Sequence, residues 1–97
     1  MNNLNSFLIE GILTEDPVKD GNKCTFTIQS SGFFVEDGEK KEELNYFNVE
    51  AWNKNAKFCF KILSKGRGVR VVGRLRAVTS AWCVVAENVE LKSKLDK

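Results

Sequence analysis

Tyr46 and Trp52 stand on one run of chain, Leu44-Asn-Tyr-Phe-Asn-Val-Glu-Ala-Trp-Asn53. Aromatic rings with a polar handle stack on flat ligands, and nucleic-acid bases are the commonest flat ligands. The run alternates. Phe47, Val49 and Ala51 fall on one face of a strand, and Tyr46, Asn48, Glu50 and Trp52 on the other. The first face can pack a core. The second offers two rings with polar groups between them. Cross-strand packing or a subunit contact would use the same residue types, so this run leaves a stacking platform and a packing surface open as alternatives.

A second set of groups suits a polyanion. Arg70, Arg74 and Arg76 alternate with apolar residues, which puts a row of guanidinium groups on one face of a strand. Arginine pairs with phosphate oxygens and stacks on planar groups. The row belongs to a basic stretch, since Lys54 to Arg76 contains no acidic residue, while Glu36 to Glu43 is the densest acidic cluster. The formal charge of +2 therefore conceals a basic half. The lysines Lys54, Lys57 and Lys61 read by default as a solvated face.

Other chemistries are poorly served. The chain has no histidine, and its cysteines, Cys24, Cys59 and Cys83, are far apart and odd in number. Neither a zinc site nor a disulfide framework is expected, but reduced thiols in a reducing compartment are. There is no phosphate-cradling glycine loop and no recognisable pair of catalytic acids, so no enzyme, cofactor or metal is expected. No leader or apolar run of spanning length is present, which predicts a cytoplasmic protein with no membrane partner.

Ninety-seven residues make one domain with a modest core. Asn5 to Leu13 reads as a first strand with apolar residues on both faces, predicting a covered strand or an edge open to a partner copy. Gly11 within it predicts a bend or a close backbone approach, as barrel corners require. The only proline, Pro17, breaks the strand. Asp20-Gly21-Asn22 is a turn, and Lys23 to Ser30 is strand two. Ser31 to Glu43, charged and glycine-bearing, reads as a mobile loop with Phe33 and Phe34 at its base, at least one of them exposed. The opening run is strand three. A helix follows from Asn53 to Leu63, with Ala56, Cys59, Phe60 and Leu63 inward, Asn53 as N-cap and Lys65-Gly66 as stop. Gly68 to Val78 is strand four, Thr79-Ser80-Ala81 a tight connection, and Trp82 to Leu91 strand five. Lys92 to Lys97 is a short charged end. Five strands with one helix between the third and fourth predict an all-β, five-stranded Greek-key barrel. This is the element order of an oligonucleotide/oligosaccharide-binding (OB) fold, whose second and third strands form the binding face.

Three segments in order resemble the bacterial single-stranded DNA-binding protein (SSB) family. Asn5-Ser-Phe-Leu-Ile-Glu-Gly-Ile-Leu-Thr-Glu-Asp-Pro17 is similar to the family's opening strand. Tyr46-Phe-Asn-Val-Glu-Ala-Trp-Asn-Lys-Asn-Ala-Lys-Phe-Cys59 looks like its strand three and helix, and Lys65-Gly-Arg-Gly-Val-Arg-Val-Val-Gly-Arg-Leu-Arg76 like its strand four. The resemblance runs from Asn5 to about Leu91, within a single domain over residues 1–97. It implies sequence-independent binding and protection of single-stranded DNA, in replication, recombination and repair. It also implies oligomers built through strand one, a tetramer or else a dimer, near the nucleoid of a bacterial cytoplasm. By position it assigns stacking to Phe34, with Phe33 as the alternative, and to Tyr46 and Trp52. It assigns phosphate contacts to Lys54, Arg74 and Arg76, and Arg70 joins them through the arginine row. Two departures stand out. The hairpin Ala77-Val-Thr-Ser-Ala81 is shorter than the family's and lacks its aromatic, with Trp82 close by at a position that is not aromatic in the family. The sequence also stops at Lys97 without the family's acidic tip, which recruits replication enzymes. The rival reading is an SSB-like primosomal or architectural OB subunit that acts mainly through protein contacts.

Overall fold

The computed structural model describes residues 6–79 and 81–92. Alternating apolar residues form β1 (Phe7–Leu13), β3 (Lys23–Glu36), β4 (Glu39–Trp52), β5 (Gly68–Val78) and β6 (Ala81–Leu91), with one helix, α1 (Lys54–Ile62), between β4 and β5. These five strands pair in the order β1-β5-β6-β4-β3, and β1 returns to pair with β3, which closes the barrel. It is an OB fold. The start expected at Asn5 lies outside the described residues, as does Ser80 in the connection before β6.

Closure depends on two glycines. β1 lies along β5 from Phe7 to Ile12 and crosses to β3 at Ile12 and Leu13. A Cβ on Gly11 would run into the Gln29 carbonyl, so the corner needs glycine there, as the sequence suggested. Gly73 sits where the register between β5 and β6 shifts, and a Cβ there would meet the Val85 carbonyl. Inside, Ile9, Leu13, Ile28, Val49, Val71 and Val84 pack the centre, joined by Ala56 and Cys59 of α1 and by Leu63 just after it.

Five expectations needed correction. A short β2 (Val18–Asp20) pairs with β3 across a turn at Gly21; three residues are too few to show alternation in sequence. The segment from Ser31 to Glu43 is no loop. β3 and β4 continue through it in unbroken register to a two-residue turn at Asp37 and Gly38, with φ of 54° and 80°. An Asp-Gly pair at positive φ is the turn that matches strand twist, and it outweighs the charged composition. The resulting arm stands out from the barrel, and the Cα radius of gyration of 14.5 Å exceeds the roughly 12.5 Å of a compact chain this long. In α1, Phe60 is half-exposed, because a nine-residue helix docks on a narrow stripe through Ala56 and Cys59. Asn53 makes no side-chain capping bond, and the helix stops at Leu63, which is extended, before Gly66 is reached.

Candidate single-stranded DNA interface

Tyr46 and Trp52 share the outer face of β4, 59% and 41% exposed, while Val49 and Ala51 on the inner face are buried. Each ring is oriented by β3. Gln29 Nε2 donates to the Tyr46 hydroxyl at 3.0 Å, and the Lys23 ammonium lies 5.6 Å from the centre of the Trp52 ring. Between the rings, Thr27 Oγ1 donates to Asn48 Oδ1 at 3.2 Å. There Thr25, Thr27, Asn48 and Cys83 line a shallow depression of about 320 Å³, edged by Glu15 and Val18. The face is flat, aromatic at both ends and polar in the middle.

The uninterrupted ladder decides which phenylalanine belongs to it. Tyr46 pairs with Gln29, Leu44 with Ser31 and Glu42 with Phe33. Side chains alternate with period two, so Phe33 stands on the Tyr46 face and Phe34 on the opposite face of the arm. Phe33 is 63% exposed, with the Lys40 ammonium 4.5 Å from its ring centre. Trp82 lies opposite Ala77 and is exposed, not core.

The arginines are not bare cations. Arg76 Nη2 lies 2.7 Å from Glu50 Oε1, and Arg74 Nε lies 3.8 Å from a Glu87 oxygen. Arg70 Nε donates to Glu10 at 2.6 Å, Arg70 Nη1 lies 3.7 Å from Glu90, and the Glu10 hydrogen bond holds the Arg70 charge more firmly. Register places Arg70 beside β1, with Leu8 and Ile12, at the far end of β5 from Arg76. The structure therefore separates Arg70 from the aromatic face and brings Arg74 and Arg76 toward it. Lys54 follows Trp52 at the start of α1, exposed and with no ion pair among the described residues.

Glu50 is the residue that sequence reasoning missed. In sequence it is one polar position of an alternating strand. In the barrel it is flanked by Thr25 on β3 and by Val85 on β6, which runs parallel to β4, and its side chain is 6% exposed. The β4–β6 pairing covers one side of it, and no local signal announces a parallel partner thirty-five positions away. Its neighbour Cys83 has its thiol pushed up, first by burial and then by the Glu50 charge and hydrogen bond. Burial likewise raises Cys24, and it pushes Cys59 up to about 12, with the nearby Cys24 adding to the effect. Raised and buried thiols of this kind are poor nucleophiles, Cys24 and Cys59 most of all. Among the described residues no cluster of acids and cysteines could hold a metal ion, and no helix is long and apolar enough to cross a membrane.

Comparison with known proteins agrees with the fold. The chain is 33% identical over 85 residues to single-stranded DNA-binding protein 1 of Chlorobaculum tepidum, an alignment covering 81% of this chain and 51% of that protein. It thus spans about half the length of that curated relative. Among solved structures, the fold matches the Plasmodium falciparum SSB in complex with single-stranded DNA, with a TM-score of 0.80, 18% identity, and 96% and 98% of the two chains covered. It also matches the small single-stranded DNA-binding protein of Streptomyces coelicolor, with a TM-score of 0.77, 20% identity, and 95% and 96% coverage. The profile of the single-strand binding protein family matches residues 4–90, and the chain belongs to that family.

Proposed function

We propose that this chain binds single-stranded DNA without sequence preference, stacking bases on Tyr46, Trp52 and Phe33. The observation that carries the reading is the pair of exposed, oriented rings on the outer face of the barrel's binding strand. Stacking accepts any base because every base has a π-face, so no readout motif is needed. Lys54 and Arg74 supply the charge that holds the phosphates. Phe34, on the other side of the arm, is not part of the continuous surface we assign. Arg70 belongs with Leu8 and Ile12 to the β1 face, which we assign to contacts between copies of the chain. Protection of single strands during replication, recombination and repair follows from this binding, with no catalytic step.

The test is titration with oligo-dT at low salt, read by anisotropy of a labelled strand and by tryptophan emission. The variant Trp82→Phe leaves Trp52 as the sole emitter. Quenching in that variant, together with a rise in anisotropy, is the expected result. No change in either signal overturns the reading.

A further inference from the structure

We propose that Glu50 is a positioning residue, which fixes Arg76 on the stacking face as a charge-compensated planar group that meets bases and not phosphates. The inference rests on the DNA-binding reading above. Glu50 is out of place on that face: Tyr46 and Trp52 beside it are open to solvent, while its own side chain is 6% exposed. A carboxylate so placed needs a counter-charge, and Arg76, at 2.7 Å, is the one the structure supplies. If Arg76 left for a phosphate, Glu50 would remain buried and uncompensated. Arg76 is therefore held in place while DNA is bound.

What Arg76 can still offer follows from its chemistry. The guanidinium has five N–H donors and a flat face, and it meets Glu50 through Nη2. Its side chain is 47% exposed, so part of the group is open to a ligand. A phosphate near Arg76 would feel the attraction of the guanidinium largely cancelled by the carboxylate behind it. A base needs no net charge. It takes the flat face by stacking, or the remaining donors at its ring nitrogens and carbonyl oxygens. Arg74 is different. Its contact with Glu87 is 3.8 Å, and both side chains are about half-exposed, so a phosphate exchanges with Glu87 at little cost.

The salt dependence of oligo-dT binding separates the two roles. Each phosphate neutralised on a single strand contributes about 0.7 to the slope of log K against log salt. Glu50→Gln keeps the shape and removes the charge, so the slope is expected to steepen by about 0.7 as Arg76 becomes an uncompensated cation. The double variant Glu50→Gln with Arg76→Gln is expected to return to the wild-type slope with weaker binding. An unchanged slope in Glu50→Gln, with or without a shallower one in the double variant, overturns the proposal. Arg76→Lys keeps the ion pair but loses the plane, and serves if Glu50→Gln does not fold. It is expected to keep the wild-type slope and bind several-fold more weakly; binding equal to wild type overturns the planar role. Failure of the wild-type chain to bind oligo-dT at any salt overturns the DNA-binding reading and the inference with it.

Discussion

Replacing Tyr46 and Trp52 together by alanine should weaken oligo-dT binding by an amount the geometry sets. Base stacking on an aromatic side chain is worth about 1–3 kcal/mol by alanine substitution. The two residues lie on one strand at positions 46 and 52, which at about 3.4 Å per residue places them roughly 20 Å apart. Sites separated by more than about 7–10 Å add nearly independently, so the double variant should lose about 2–6 kcal/mol. This corresponds to a Kd raised from about 30-fold to more than about 10,000-fold. Trp52 belongs at the lower end of its range, because Lys23 already occupies one side of its ring. Both side chains are exposed, so stability should change by no more than about 0.5 kcal/mol, and a urea melt run beside the binding assay checks this. The assay is anisotropy of a labelled dT oligomer at low salt, with both single variants included. Tyr46→Phe removes the hydroxyl that Gln29 holds but keeps the ring, and should bind nearly as the wild type does. A folded double variant that binds within a few-fold of wild type refutes the stacking argument.

Three further outcomes are expected. A thiol reagent at mildly alkaline pH should modify Cys83 slowly and leave Cys24 and Cys59 intact until denaturant is added, because burial raises all three thiols; fast labelling of Cys59 in the native chain would contradict the docking of α1. The Arg70 hydrogen bond first, then the Lys92 charge, holds Glu10 below its ordinary value. A group with a lowered folded pKa contributes stability that is present above the unfolded value and lost as pH falls through the folded one. The gap in melting temperature between wild type and Glu10→Gln should therefore close on acidification; a gap that persists in acid points to packing instead. Gly73→Ala drives a Cβ into the Val85 carbonyl and should cost about 1–3 kcal/mol in a urea melt. Gly32→Ala has open space, has no positive φ, and should not destabilise the chain.

Much of this protein is legible in its sequence, for local reasons. Phe47, Val49 and Ala51 announce a strand because period-two burial leaves period-two sequence, and Gly11 marks a corner because nothing larger passes Gln29. The illegible parts depend on partners far along the chain. Glu50 becomes a buried ion pair only when β6 and Arg76 arrive. Which of Phe33 and Phe34 shares the Tyr46 face depends on a register that composition does not reveal. The stretch from Ser31 to Glu43 looks like a loop because its apolar residues, Phe33, Phe34 and Val35, face charged ones across the ladder, Glu42, Lys41 and Lys40, so no two-sided apolar alternation shows. There the decisive signal was present in sequence, in Asp37-Gly38, and composition masked it.

The unbroken pairing of the β3–β4 arm makes its length a quantised variable. One residue added to one strand between Tyr46 and the tip would move Phe33 off the shared face or force a bulge. Two residues added to each strand would keep every side chain on its side and extend the surface by about 7 Å. The arm is then a ruler graduated in pairs of residues. Descendants of this chain that bind longer or shorter stretches of a strand should differ there by even numbers. A designer wishing to change the span can lengthen it in the same steps without touching the barrel.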